Sequence, residues 1–181
     1  MLLESIAIFL SVLLAFFVEQ WREDLNEAKD AEVALSLVRA ELAQNLAELE
    51  QIAPTRPELL LAYQEAIQTL LKEQQFPQNL PRTVPPEITI VAYELATDSG
   101  AIASVKAADL LVIASAYEAL EKVRRNEIFL ENRNAQIRFN DGEQYLSGFI
   151  YYFNRAMGNE PRAIAKVQEA LALLDSRAMS E

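Results

Sequence analysis

The residues able to do chemistry in this chain are few in kind. Its 181 residues include no histidine and no cysteine. That removes the commonest general base, the Ser-His-Asp and Cys-His nucleophile arrangements, zinc–thiolate centres and the usual ligand of copper and haem. Carboxylates and guanidinium groups remain. Glu23, Asp24, Glu27, Asp30 and Glu32 crowd one segment. Metal or acid–base chemistry needs carboxylates that converge in a pocket, and this spacing reads instead as a solvated helix face. Lys122, Arg124 and Arg125 form the densest basic cluster, with Arg133 and Arg138 further along. Its two uses would be pairing with the acidic first helix or docking an acidic partner. Ser99-Gly100 has no phosphate-loop or dinucleotide-binding glycine pattern around it and reads as a helix stop. The expectation is no enzyme, no cofactor and no metal site.

The more distinctive side chains are aromatic. Tyr145, Phe149, Tyr151, Tyr152 and Phe153 fall within one short window. Rings all round a helix imply burial on more than one side, against a core, a lipid surface or a partner. These five are the candidate partner-contact residues.

Such residues must be positioned by helices. The chain is 51% hydrophobic and 24% charged with only 4 glycines, a composition that fits an all-α fold of one domain. Residues 22–53 contain no glycine or proline. Trp21, Ala28, Leu35, Leu42 and Leu49 recur every seven residues, and Ala31, Val38, Asn45 and Ile52 form a second seam. Asn45 on that seam offers a way to fix register, including in a homo-oligomer. Leu25, Val33, Leu37 and Leu46 widen the apolar face, which favours an antiparallel helical bundle over an extended dimer.

Pro54 and Pro57 end this helix, and Pro57 suits the first turn of a second one, whose short connection implies an antiparallel neighbour. Four prolines within residues 76–86 predict an extended surface loop. The segment from Glu87 reads as a short helix stopped at Gly100, with a strand as the alternative. A long helix follows from about Ala101 to Arg138, then a turn at Asp141-Gly142 and a helix from Glu143 to Met157. Asn159-Glu160-Pro161 reads as the cap of the last helix.

Ile6 to Val18 is apolar except for Ser11, and the run from Met1 to Trp21 is about 21 residues, or roughly 30 Å of helix. It predicts a transmembrane anchor over residues 1–21 and a helical bundle domain over 22–181. Two competing readings are a cleaved signal peptide and a buried core helix. The first lacks a basic leader and a small-residue cleavage site. Against the second, Trp21 and Arg22 suit the headgroup boundary and are the expected membrane-interface residues.

Two segments together resemble a widespread family of uncharacterised bacterial single-span membrane-anchored helical proteins. The resemblance covers residues 5 to 120 and is carried by Trp21, Glu41, Leu42, Asn45, Tyr93, Ser99 and Gly100. It implies no activity. It places the anchor in a bacterial inner membrane with the domain on the periplasmic side, whereas Arg22 and Lys29 after the span favour the cytoplasmic side.

A formal charge of −11, from 27 acidic and 16 basic residues, repels a phosphate backbone, so nucleic acid is not an expected partner. The expected partners are membrane lipid and the proteins of a larger membrane complex. The expected function is that of a non-catalytic accessory or scaffold subunit anchoring its helical domain to such a complex, for example an energy-transducing one, photosynthetic or respiratory. The alternative is a membrane-anchored sensor or adaptor that binds a ligand or signalling partner.

Overall fold

A computed structural model describes residues 2–75, 79–136 and 142–179, apart from the side chains of residues 2–12, 24 and 131–136. Every regular element in these residues is helical: α1 (Leu2–Ile52), a 3₁₀ turn (Ala53–Thr55), α2 (Arg56–Glu73), α3 (Val91–Asp98), α4 (Ala107–Gln136) and α5 (Gly142–Ala178). The chain divides into two compact units. One comprises residues 1–38 and 91–106, the other residues 39–90 and 107–181.

The second unit is a helical bundle whose directions follow from its side-chain pairs. Asp109 of α4 meets Arg177 of α5, and Phe129 meets Tyr151, so these helices run antiparallel. From Arg39 to Tyr63 the partners on α5 descend in order: Arg39 with Asp175, Glu50 with Gln168, Arg56 with Glu160, and Tyr63 with Phe153 and Phe149. The end of α1, the 3₁₀ turn and α2 therefore form one limb that runs antiparallel to α5. This corrects the expected reversal at Pro54 and Pro57. The backbone stays right-handed helical at Ile52, Thr55 and Arg56. Proline tolerates helical φ in the first turn of a helix, so the chain loses backbone donors there without turning back. Gln74, in the left-handed conformation with φ 51°, ends the limb by donating its N–H to the Leu70 carbonyl.

Residues 142–178 are one helix, not two. Pro161 lies inside α5, and the expected cap at residues 159–161 is replaced by helical continuity. The apolar face explains this. Leu146, Phe149, Tyr152, Phe153, Ala156, Ala163, Val167, Ala170 and Leu174 are buried at three- and four-residue spacing on both sides of the proline.

The α1 seams separate along their length. Leu42 and Leu49 are buried, as are Ala31, Val38, Asn45 and Ile52, whereas Trp21 and Ala28 are exposed. Residues 79–90 are extended, as their prolines dictate, and the remainder of the expected loop, residues 76–78, lies outside the described residues. The helix expected from Glu87 is confined to α3, and Gly100, at φ 72°, ends that segment in a conformation glycine adopts without cost. Residues 101–104 form turns before α4 begins, and Asp141 of the expected turn lies outside the described residues.

Among the described residues no helix is long and apolar enough to cross a membrane. The transmembrane helix expected over Met1–Trp21 thus gains no support from them, and more than half of it, residues 1–12, lies outside the described side chains.

Candidate functional site

The first unit carries an open groove of about 630 Å³ between α1 and the α3 segment. Val33, Ala34 and Leu37 form one wall, Leu95 with Ala92 and Ala96 the other, and Ser99 to Ser104 close part of one side. Val33, Leu37 and Leu95 are all at least half exposed. At the N-terminal end of the α1 wall stand Glu27 and Asp30, one helical turn apart. Neither makes an ion pair with the other described residues. Two exposed carboxylates on one helix supply a small share of the roughly six to eight oxygens a calcium ion takes, so the groove is assigned no metal. What it offers is apolar surface with an acidic end.

Next to it in sequence, α1 exposes apolar side chains all round. Leu14, Phe16, Phe17 and Trp21 are each 66–70% accessible, and Val18 and Leu25 are more than half so. Arg22 is exposed beside Trp21.

The aromatic window behaves differently. Phe149, Tyr152 and Phe153 are buried and pack with Tyr63, Ala66, Leu130, Leu146 and Ala156, while Tyr145 is partly buried against the same cluster. Tyr63 stacks on Phe149 with ring centroids 4.7 Å apart, and Tyr152 meets Phe153 edge-on at 5.3 Å. Of the five residues, only Tyr151 is exposed. The physical reason is periodicity: positions 145, 149, 152, 153 and 156 share one helical face, and 151 points away from it. Four of the five rings thus serve the core of the second unit.

Beside that cluster sits a buried ion pair absent from the sequence reading. Arg56 donates through Nε and Nη2 to Glu160 at 2.9–3.3 Å, and both side chains are essentially inaccessible. The guanidinium also lies 5.2 Å from the Tyr152 ring centroid. Burial pushes the Tyr152 hydroxyl up to about 12, opposed by Arg56 and reinforced by Glu160 and Glu127. Tyr63, whose hydroxyl donates to the Pro81 carbonyl at 3.0 Å, is likewise pushed up to about 12 by burial, with a smaller contribution from Tyr145. Burial raises Tyr145 as well. Asn126 on α4 is buried with no hydrogen-bond partner for its amide among the described residues.

Asn45 is fully buried, and its amide is committed within the bundle. Nδ2 donates to the Thr89 carbonyl at 2.7 Å, and the Thr89 N–H donates to Oδ1 at 3.0 Å. Within the chain, the side chain that was expected to fix register in a homo-oligomer pins the extended segment to α1. Glu41 accepts from the Tyr117 hydroxyl at 2.7 Å, another internal contact. Among the basic residues, Lys122 pairs with Glu118 and Arg124 with Glu121 along α4, not with the first helix. Lys122 holds the Glu118 carboxyl below its usual range by hydrogen bond and charge. Arg133 and Arg138 lie outside the described side chains.

A second groove of about 610 Å³ borders the proline turn and the extended segment, with Glu48, Gln51, Glu58 and Arg82 around apolar Leu59 and Val84. Compared with family models, with curated proteins and with solved structures, the chain matches none.

Proposed function

We propose that this protein is a membrane-anchored, non-catalytic accessory or scaffold subunit: residues 1–21 hold it in a bacterial inner membrane, and its helical domain, on the periplasmic side, binds a larger membrane protein complex. The observation that carries this reading is the uncovered apolar belt from Leu13 to Trp21, continued by Leu25. Apolar side chains exposed on every side of one helix need a lipid or protein environment, since in water each would forgo about 1.5–3 kcal/mol of burial. With the apolar residues that precede it in the sequence, the belt belongs to a run of about 21 residues from Met1 to Trp21, the length of a span.

The groove of the first unit supports the docking half of the proposal, because it adds uncovered Val33, Leu37 and Leu95 to the same unit. A test is mild-detergent extraction of the tagged full-length chain from its native membranes, followed by sizing and identification of co-purifying proteins. A stoichiometric large assembly is the expected outcome. Recovery from the soluble fraction would sink the anchor, and a lone chain from the membrane fraction would sink the scaffold and leave a sensor or adaptor.

A further inference from the structure

We infer that the groove between α1 and α3 takes one helix of a partner protein, an amphipathic helix with a narrow apolar face and a lysine- or arginine-bearing end, laid against Val33, Leu37 and Leu95 with its cation at Glu27 and Asp30. This rests on the docking reading above and names the partner's chemistry.

The shape argues for a helix. Val33 and Leu37 are four residues apart on α1, and Ala92 and Ala96 four apart on α3, so each wall is an i, i+4 ridge, and two such ridges leave a furrow into which the ridge of a third helix fits. The alanines Ala34, Ala92 and Ala96 keep the floor low, so that an incoming backbone can approach closely. The described part of this unit has no strand edge, and strand addition is therefore not its mode of binding.

Charge decides between occupants. Among the described residues Glu27 and Asp30 make no ion pair; they stand at one end of the groove, and an apolar segment flanked by a cation there gains two opposite charges. Anionic lipid would meet like charge at that end. A second copy of this chain, at a formal charge of −11, approaches against net repulsion.

The probe is a helical peptide of about 18 residues, five turns long, with a Leu/Ala face and lysines confined to one end, paired with a peptide of the same face whose lysines are glutamates. It is titrated against the full-length chain in nanodiscs of zwitterionic lipid, with empty discs as the reference. The lysine peptide binds and the glutamate peptide does not. Glu27→Gln with Asp30→Asn weakens binding about fivefold and flattens its salt dependence, the size two exposed ion pairs allow. Leu37→Ser with Leu95→Ser weakens it about tenfold through lost apolar burial.

The control Glu65→Gln with Glu73→Gln, which removes the same charge from the exposed face of α2, leaves binding unchanged. Equal weakening by this control would reduce the attraction to net charge and overturn the assignment. So would equal affinity for both peptides, binding of anionic vesicles that depends on Leu37 and Leu95, or a dimer dissolved by Leu95→Ser. Failure here alongside a large native assembly would leave the scaffold reading standing and refute only the groove's occupant.

Discussion

The two units differ in how far they enclose their largest aromatic side chains. In the bundle of the second unit, Phe149, Tyr152 and Phe153 are sealed by Tyr63, Leu130 and Leu146, and even a charged pair, Arg56 with Glu160, is enclosed and hydrogen bonded. In the first unit Phe16, Phe17, Val18 and Trp21 face outward along α1, and Val33, Leu37 and Leu95 border an open groove. The same helix, α1, contributes to both. Apolar content alone therefore does not say what a segment is for. The second unit encloses most of its large aromatic rings, whereas the first leaves Phe16, Phe17 and Trp21 uncovered.

If that contrast is right, truncating enclosed side chains of the bundle acts on stability, and truncating exposed apolar side chains of the first unit acts on binding. The largest effect falls on the buried ion pair. Arg56→Met leaves Glu160 charged and alone in the core and should cost about 3–5 kcal/mol, whereas Arg56→Met combined with Glu160→Leu should recover most or all of the loss. Urea unfolding of the single and double variants measures both. A double variant no more stable than the single would mean the pair carries structural information that packing cannot replace.

Next in size is the response to alkali. Tyr63 and Tyr152 have pKa values of about 12 in the folded protein against the ordinary 10.0, so folding holds their protons more tightly. Their contribution to stability is complete below about pH 10 and is lost as pH rises through about 12. Tyr152→Phe should flatten that alkaline decline, as read from urea midpoints at successive pH values. Parallel curves for the variant and the parent would show that these hydroxyls ionise without opening the bundle.

Asn45→Ala removes both bonds to Thr89 and leaves a partly buried N–H and carbonyl without that partner, at about 1–2 kcal/mol. Hydrogen exchange at Thr89 should accelerate along with it, whereas unchanged exchange would place the hold on the extended segment elsewhere. Smaller again, Gly100→Ala introduces a side chain at φ 72° and should cost about 1 kcal/mol, although a Cβ there meets nothing within 4 Å. Smallest is Leu37→Ser in the first unit, within about 0.5 kcal/mol on unfolding. A loss of several kcal/mol there would end the contrast between the units.

Much of this was legible in the sequence, and the exceptions have identifiable physics. The all-helical fold follows from the scarcity of glycine and from the three- and four-residue spacing of Val38, Leu42, Asn45, Leu49 and Ile52. The stop at Gly100 was visible because few other residues adopt its conformation. The course of the chain past Pro54 and Pro57 was not, because a proline removes a backbone donor without dictating direction, and the α5 face that holds α2 in line begins some 90 residues later. Pro161 misled for the same reason. The aromatic window was within reach: assigning its five rings to helical angles separates Tyr151 from the rest. The Arg56–Glu160 pair, 104 residues apart in the chain, left no local trace at all.

That pair has a consequence for how the sequence can drift over generations. A change at position 56 alone, or at 160 alone, passes through a protein with an orphaned charge in its core, a step selection would remove. The two positions should therefore change together. Relatives of this chain should carry an arginine with a glutamate there, or two apolar residues, and a lineage showing one without the other would mark where a third side chain had first taken over the charge.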